Sequence, residues 1–192
     1  MAKFDHFNLI GPIYDWIFSR RDPNKLLNLV KLEPHHSLLD VGGGTGRVSF
    51  RFTEISSEII VADSAVNMLK EANKKGLFAI NAHSETMPFQ DMSFDRIIMV
   101  DTFHHVIEHQ QTLDEIWRIL KPKGRIVIEE PNIHYLIPKL IAFGEKILLM
   151  RSKFYYPEEI LSMCAYKDAD RIELVEDNYI VRIVIDKSNF EL

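Results

Sequence analysis

The sequence predicts a doubly wound α/β fold with a seven-stranded sheet that is mostly parallel and ends in an antiparallel hairpin. Five short apolar runs alternate with helical patterns between residues 22 and 131, which is typical of a parallel sheet covered by helices on both faces. The first run leads directly into a glycine-rich turn. Two β-rich runs at 172–175 and 179–185 flank a tight turn and predict the hairpin.

The individual elements follow from the apolar runs and their flanking signals. A helix is expected to begin at Asp22-Pro23, because proline suits the first helical turn. Another is expected directly after the glycine turn. Ser64 is the expected N-cap of the next helix and Thr112 that of the one after, with Glu115 completing a capping box. The five parallel strands are predicted at 37–41, 59–62, 77–80, 94–100 and 125–128.

Composition limits the classes of protein to consider. The chain has 192 residues, which suits one domain, and its net charge of −5 offers no basic surface for nucleic acid. No apolar run approaches the ~20 residues of a membrane span. The one cysteine, Cys164, excludes a disulfide within the chain and fits a reducing compartment. The first residues lack the apolar core of a signal peptide, so a cytoplasmic location is expected. The oligomeric state stays open.

The glycine-rich turn at 42–46 marks a binding site for a nucleotide-type cofactor. Glycine is favoured where the backbone takes positive φ or approaches a ligand closely, and such turns form these sites in doubly wound folds. The dinucleotide pattern G-x-G-x-x-G/A fails at Arg47 when counted from Gly42, and at Ser49 when counted from Gly44. Asp63, at the end of the next strand, fits an acceptor for ribose hydroxyls with either kind of cofactor. An NAD-binding oxidoreductase is therefore weakly supported and stays an alternative.

Six motifs in fixed order give the sequence a more specific resemblance. The chain resembles the class I S-adenosylmethionine-dependent methyltransferases, particularly the small-molecule group related to the quinone-biosynthesis C-methyltransferases. The resemblance implies a Rossmann-like fold, methyl transfer, and S-adenosylmethionine as cofactor with S-adenosylhomocysteine as product. It implies an N-terminal helical cap (1–33), a cofactor-binding core (34–131), a helical lid (132–166) and a C-terminal hairpin (167–192). The matching motifs lie at 38–46, 61–64 with 68–69, 85–89, 93–95, 103–106 and 118–125.

The resemblance also implies roles for particular residues. Asp40 would help hold the amino group of the methionine moiety, Asp63 would accept both ribose hydroxyls, and Asp101 would lie beside the sulfur. Two simpler alternatives stay open, because Asp40 could satisfy turn amides and Asp63 could cap the following helix. The remaining implied cofactor contacts are Gly42, Gly44 and Gly46 at the turn, Ser64 and Met68 around the ribose and adenine, and His83 and Ser84 beside the adenine.

Two positions depart from the family pattern. His83 stands where many relatives have an acid that accepts from the adenine amino group. Only a neutral imidazole can accept, so the affinity for the cofactor is expected to fall below neutral pH. Lys123 replaces the usual glycine of a Pro-Gly-Gly turn, and little effect is expected.

A cluster of histidines follows the fourth strand. His105 to His109 match the zinc-protease pattern H-x-x-E-H, but the surrounding sequence is a methyltransferase loop, so no metal site is predicted. Methyl transfer needs a general base only when the acceptor arrives protonated. His104 is the first candidate for that base, with Asp101 and Tyr14 as further catalytic candidates. Packing against cofactor and substrate is an equally supported role for the histidines.

Two segments are candidates for the acceptor side. Residues 4–20 form an aromatic-rich helical pattern that covers one side of the core or, alternatively, forms a cap with Tyr14 pointing inward. Residues 133–156 form a lid or, equally, an amphipathic helix packed on the core. A lid here would favour a small apolar or aromatic acceptor. A cofactor-binding protein without catalytic activity is the third functional alternative.

Overall fold

The computed structural model describes residues 22–147, 152–177 and 179–189. Seven strands form one sheet within this part of the chain. The predicted N-terminal segment at 4–20, including Tyr14, lies outside the described residues, as do Arg151 and Asn178. The strands are β1 (Leu38–Val41), β2 (Ile59–Asp63), β3 (Phe78–Asn81), β4 (Phe94–Val100), β5 (Leu120–Pro131), β6 (Ala169–Asp177) and β7 (Ile180–Lys187).

The sheet has the order β3-β2-β1-β4-β5-β7-β6. Neighbours among β1 to β5 are parallel, whereas β7 runs antiparallel to both β5 and β6. The predicted fold class is therefore confirmed, including the C-terminal hairpin. The strand order reverses between β1 and β4, and ligands of such sheets bind outside the carboxyl ends of the strands at this point. The prediction of a single domain, with divisions after 33, 131 and 166, stays a prediction.

Five α-helices accompany the strands in the described residues. The first begins where the sequence predicts, because the Asp22 carboxylate accepts the Asn24 N–H at 2.9 Å. It ends at Lys31, which adopts the left-handed conformation. The helices are α1 (Pro23–Val30), α2 (Val66–Lys74), α3 (His109–Ile119), α4 (Leu136–Ile147) and α5 (Pro157–Met163). None of these helices combines the length and the apolar composition that crossing a membrane requires.

Two apolar clusters cover the two faces of the sheet. One contains Ile97, Ile126 and the buried face of α3, and the other contains Ile98, Val127 and the apolar residues of α1. Successive residues of β4 and β5 alternate between the clusters, as side chains of a strand must. The sheet is thus covered on both faces, and the carboxyl ends of its central strands remain available for a binding site.

Three local predictions are wrong. The glycine turn is followed by a short 3₁₀ helix, Ser49–Phe52, rather than an α-helix. Ser64 is not the N-cap of α2, because that position is Ala65, whose N–H donates to Asp63 Oδ1 at 2.7 Å. Thr112 is not a cap either, since α3 begins three residues earlier and buries Thr112 completely. At α2 the cap comes from Asp63, the alternative that the sequence had offered, whereas at α3 a side chain from a distant segment contacts Thr112.

The predicted capping box at Thr112 fails because both of its side chains have other partners. The Thr112 hydroxyl lies 3.1 Å from the Ser84 hydroxyl. The Glu115 carboxylate accepts the Met87 N–H at 2.7 Å and pairs with Arg118 at 2.7 Å. These contacts attach α3 to the loop after β3, so the two residues join neighbouring segments instead of capping a helix.

Candidate functional site

A cleft of about 830 Å³ opens at the carboxyl edge of β1, β2 and β4. It lies where the strand order reverses, and it extends from the glycine turn across to the loop after β4. The predicted site residues that line it are Asp40, Gly42, Gly44, Asp63, Ser64, Met68, His83, Ser84, Asp101 and His104. Gly46 is not among the lining residues, and Tyr14 lies outside the described residues.

The glycines of the turn differ in what they face. A Cβ on Gly42 would lie 2.0 Å from Thr102 Cγ2, and one on Gly46 would lie 2.3 Å from Leu77 Cδ1. A Cβ on Gly44 would instead meet Met68 Sδ at 3.2 Å. All three have φ between +55° and +68°, which favours glycine. Gly42 and Gly46 therefore allow close internal packing, whereas Gly44 brings its backbone to the wall of the cleft.

Asp40 is a buried carboxylate at the end of β1 with one oxygen in use. Its Oδ2 accepts the Ser49 hydroxyl, and its Oδ1 is buried without a hydrogen-bond partner among the described residues. Burial raises the pKa of Asp40 to about 7, although the Ser49 hydrogen bond opposes the shift. The predicted alternative that Asp40 satisfies turn amides is not what the hydrogen bonds show. A buried acceptor beside the cleft fits a cationic group of a ligand.

Asp63 lies opposite, at the end of β2. Its Oδ2 accepts the Gly44 N–H at 2.9 Å and its Oδ1 accepts the Ala65 N–H at 2.7 Å. The helix-capping role foreseen as an alternative is thus present. An ionised carboxylate has about four acceptor positions, so these two bonds leave room for two more. Asp63 is also half-buried, which keeps the remaining lone pairs within reach of the cleft.

The loop after β4 forms the other side of the cleft. Asp101 begins this loop in the left-handed conformation, with φ of 53°, and its N–H donates to the Glu129 carbonyl at 2.9 Å. The Thr102 hydroxyl donates to the Gly42 carbonyl at 2.9 Å, so the loop is bonded to the glycine turn. Phe103–His105 then form a short 3₁₀ helix. We call residues 101–105 the β4 loop.

Glu130, at the carboxyl end of β5, holds the β4 loop. Its Oε1 accepts the Thr102 N–H at 2.9 Å and the Phe103 N–H at 2.7 Å. Its Oε2 lies 2.5 Å from His104 Nδ1, and both side chains are almost completely buried. Sequence reasoning missed this residue, because a carboxylate that caps a turn 27 or 28 residues away leaves no local signal. Two successive acids at the end of a buried strand were the available clue.

The chain at 152–156 packs on the outer side of the β4 loop. The Lys153 N–H donates to the His104 carbonyl at 2.7 Å, and the Ser152 hydroxyl lies 3.1 Å from His105 Nδ1. The Phe154 ring stacks on the His104 ring with 4.3 Å between centroids. None of the described residues of the predicted lid segment 133–156 lines the cleft. The contacts of the described residues of this segment therefore favour a segment that packs on the β4 loop over a lid that covers the cleft.

The histidines after β4 are not part of any set of three potential metal ligands found in the described part of the chain. Within the described residues, the one set of three potential ligand side chains with donor atoms mutually within 4.8 Å is Glu33, His35 and His36. These residues precede β1, so they lie at the opposite edge of the sheet from the cleft. His36 Nδ1 accepts the Glu33 N–H at 3.1 Å, which places the imidazole proton on Nε2 and opposes metal binding there.

Comparisons with known proteins agree with this geometry. Residues 39–128 match the family model described as Methyltransferase domain. Over these residues the chain is similar to known methyltransferase domains. The predicted resemblance is therefore confirmed, and the oxidoreductase alternative receives no support from these comparisons. The matched range contains Asp40, the glycine turn, Asp63 and the β4 loop, whereas Glu130 lies two residues beyond its end.

Curated relatives match this domain over part of their length. The ubiquinone/menaquinone biosynthesis C-methyltransferase of Brucella canis is 35% identical over 108 residues, which cover 50% of this chain and 40% of that protein. The demethylmenaquinone methyltransferase of Paenarthrobacter aurescens is 25% identical over 186 residues, covering 86% of this chain and 73% of that protein. The match to the Brucella canis protein is typical of the matches to biosynthesis C-methyltransferases of this kind. The chain spans about two fifths of the length of such relatives.

Solved structures share the fold across nearly the whole chain. A methyltransferase of Thermotoga maritima, described as a possible histamine N-methyltransferase, superposes with a TM-score of 0.74 and 21% identity, covering 97% of this chain and 100% of that one. A methyltransferase of Aquifex aeolicus gives a TM-score of 0.74 and 22% identity over 96% of this chain and 100% of that one. At these identities the likeness concerns the fold.

Proposed function

We propose that the protein transfers the methyl group of S-adenosylmethionine to a small, apolar or aromatic acceptor. The observation that carries this proposal is the buried Asp40 oxygen without a partner among the described residues. A second acid, Asp63, lines the same cleft 23 residues further along the chain. The cofactor has a cationic amino-acid end and a ribose, and these two carboxylates lie where each end would find an acceptor. The residues present therefore fit the cofactor.

Each side of the cleft has its own part in holding the cofactor. Asp40 would bind the amino group, and Asp63 would accept from the ribose hydroxyls. Gly44 allows the turn to approach the ligand, and Met68 offers an apolar, polarisable surface beside it. His83 and Ser84, on the loop after β3, would border the adenine. In this arrangement His83 accepts from the adenine amino group only as a neutral imidazole.

The chemistry asks mainly for positioning by the protein. The bound cofactor supplies a methyl group on a positively charged sulfur, which is a good leaving group. The chain's own residues hold the acceptor in line, exclude water and remove a proton where the acceptor carries one. His104 is our first candidate for the proton acceptor, because it lines the cleft on the rigidly held β4 loop. Asp101 and Tyr14 remain further candidates.

The nature of the acceptor is proposed from the relatives and from the cleft. The relatives' names describe quinone methylation, which concerns aromatic small molecules. Met68 and Ile107, both exposed, and the buried Val106 give the lining of the cleft an apolar share that suits such an acceptor. Lys153 adds a positive charge beside the β4 loop, which would suit an acidic substituent on the acceptor.

Calorimetric titration separates the functional alternatives. Titration with S-adenosylhomocysteine should give saturable binding, and titration with NAD should give none. A methyl-transfer assay with radiolabelled S-adenosylmethionine and a panel of phenols, quinols and small amines then tests activity. Binding of NAD in place of S-adenosylhomocysteine would contradict the proposal. Binding of S-adenosylhomocysteine without transfer to any member of the panel would favour a cofactor-binding protein without catalytic activity.

A further inference from the structure

We propose that Glu130 is a positioning residue that fixes both the β4 loop and the proton arrangement of His104. The inference rests on the proposed function, since His104 matters chemically only if acceptors bind at this cleft. Glu130 is 3% exposed and uses both carboxylate oxygens on the loop. It therefore connects the end of β5 with the residue we place closest to proton transfer.

The first part of its role concerns the backbone. The short 3₁₀ helix Phe103–His105 has no side-chain cap of its own. Its first amides, those of Thr102 and Phe103, both donate to Glu130 Oε1, at 2.9 and 2.7 Å. A carboxylate at the N-terminus of a helical turn satisfies amides that would otherwise lack acceptors. Because these amides are partly or fully buried, the loop depends on this acceptor for its position.

The second part concerns the imidazole. Oε2 of Glu130 lies 2.5 Å from His104 Nδ1. An ionised carboxylate can only accept hydrogen bonds, so this contact assigns the proton to Nδ1. A histidine held in this way directs its Nε2 lone pair elsewhere and is stabilised by the carboxylate when it becomes charged. The Phe154 ring is stacked on the His104 ring and restricts rotation of the imidazole.

Glu130→Gln gives a test whose outcome the geometry dictates. The amide oxygen must face the Thr102 and Phe103 N–H groups, because an NH₂ there would oppose two donors. The amide NH₂ must then face His104 and donate to Nδ1. The variant therefore keeps the loop in place while moving the imidazole proton from Nδ1 to Nε2. A role limited to holding the loop would leave the tautomer unchanged.

Glu129→Gln is the matched control. Glu129 is the adjacent residue in β5, it is equally buried at 3% exposed, and its carboxylate also makes a charged contact, to Arg182 at 2.6 Å. Its side chain points to the opposite face of the sheet, as alternation along a strand requires. The control therefore removes a buried carboxylate of the same strand without changing the acceptor for the β4 loop.

The experiment uses the full chain labelled with ¹⁵N in histidine. At pH 8, the His104 imidazole should show a protonated Nδ1 in the unchanged protein and in Glu129→Gln, and an unprotonated Nδ1 in Glu130→Gln. Glu130→Ala should increase amide exchange at Thr102 and Phe103 by at least tenfold. An unprotonated Nδ1 in the unchanged protein, or the same tautomer in Glu130→Gln, would overturn the inference.

The affinity for S-adenosylhomocysteine keeps the two proposals distinguishable. In Glu130→Gln it should stay within about twofold of the unchanged protein, because the amide oxygen preserves the loop. If the unchanged protein does not bind S-adenosylhomocysteine, the proposed function fails, whatever the tautomer of His104. If it binds and the tautomer is the same in both proteins, the role of Glu130 fails alone. Glu130→Asp, which keeps the charge, should restore the protonated Nδ1.

Discussion

On the cofactor side of the cleft, Asp40, Gly44 and Asp63 are held by contacts within one turn and the two strands beside it. On the other side, the β4 loop is held by side chains and amides from segments that are 26 to 60 residues away in sequence. The first arrangement depends on backbone conformation and short spacing. The second depends on how the strands are placed next to one another in the sheet. The contacts on the proposed cofactor side are therefore accessible to sequence analysis, whereas the contacts that hold the β4 loop are visible only in the fold.

The largest expected effect distinguishes the two sides through Asp63. Asp63→Ala should raise the dissociation constant for S-adenosylhomocysteine by about 100-fold or more, because two charge-assisted hydrogen bonds of about 1.5–3 kcal/mol each are lost. Calorimetric titration measures it. The control is Glu71→Gln, which replaces an exposed acid on α2 and should leave the dissociation constant unchanged. An affinity within threefold of the unchanged protein would place the ribose elsewhere.

The second prediction concerns the contact between the two sides. Gly42→Ala places a Cβ 2.0 Å from Thr102 Cγ2 and should lower the free energy of unfolding by about 3 kcal/mol or more, as overpacking and strained φ add together. Gly76 has φ of +82°, and a Cβ added to it would meet no atom within 4 Å. Gly76→Ala therefore isolates the conformational cost, about 1 kcal/mol. Urea unfolding compares the two, and equal losses would mean that Thr102 moves freely.

The third prediction uses the raised pKa of Asp40. Below about pH 7 this carboxyl is protonated and must lose its proton to hold a cationic amino group. The affinity for S-adenosylhomocysteine should therefore rise with pH by up to about tenfold per unit below 7, and level off above it. Proton release on binding, measured by calorimetry in two buffers, checks this. Asp40→Asn should bind S-adenosylhomocysteine more weakly. Its affinity should also lose the pH dependence that comes from Asp40, so that any remaining pH dependence comes from His83.

Asp40 also links stability to pH, with a definite sign. The pKa of Asp40 is about 7 in the native state and 3.8 for an ordinary aspartate, so between these pH values the native state binds more protons than the unfolded state. The contribution of Asp40 to the stability of the ligand-free protein is therefore complete below about pH 4 and is lost as the pH rises to 7. The Asp40→Asn variant should not show this loss of stability as the pH rises. Urea unfolding at pH 5 and pH 8 measures the difference between the two proteins.

The smallest expected effect lies outside both sides of the cleft. Lys123 has φ of +62°, a conformation that favours glycine. Lys123→Gly should raise the free energy of unfolding by about 0.5–1 kcal/mol, because relief of strain exceeds the added freedom of the unfolded chain. Urea unfolding should show this gain while the affinity for S-adenosylhomocysteine stays constant. A loss of stability would show that the lysine side chain compensates for its backbone conformation.

The sequence could predict those features that depend on short-range rules. Alternating apolar runs predicted β4 at its observed bounds, 94–100. The glycine turn and Asp63 were predicted from the residues themselves, and the other lining residues of the proposed cofactor side from the resemblance to methyltransferases. Thr112 was misassigned because its hydroxyl meets Ser84 rather than an amide of its own helix. Glu130 was missed because its partners come from another strand's loop. Such contacts depend on the register of β4 and β5, which the apolar pattern alone does not fix.

A crystal structure of the protein with S-adenosylhomocysteine would test the central claim most directly. The account predicts the ligand's amino group within hydrogen-bond distance of Asp40 and its ribose hydroxyls at Asp63, with the β4 loop unchanged in position. A ligand that contacts neither carboxylate, or whose ribose lies against the β4 loop, would contradict it.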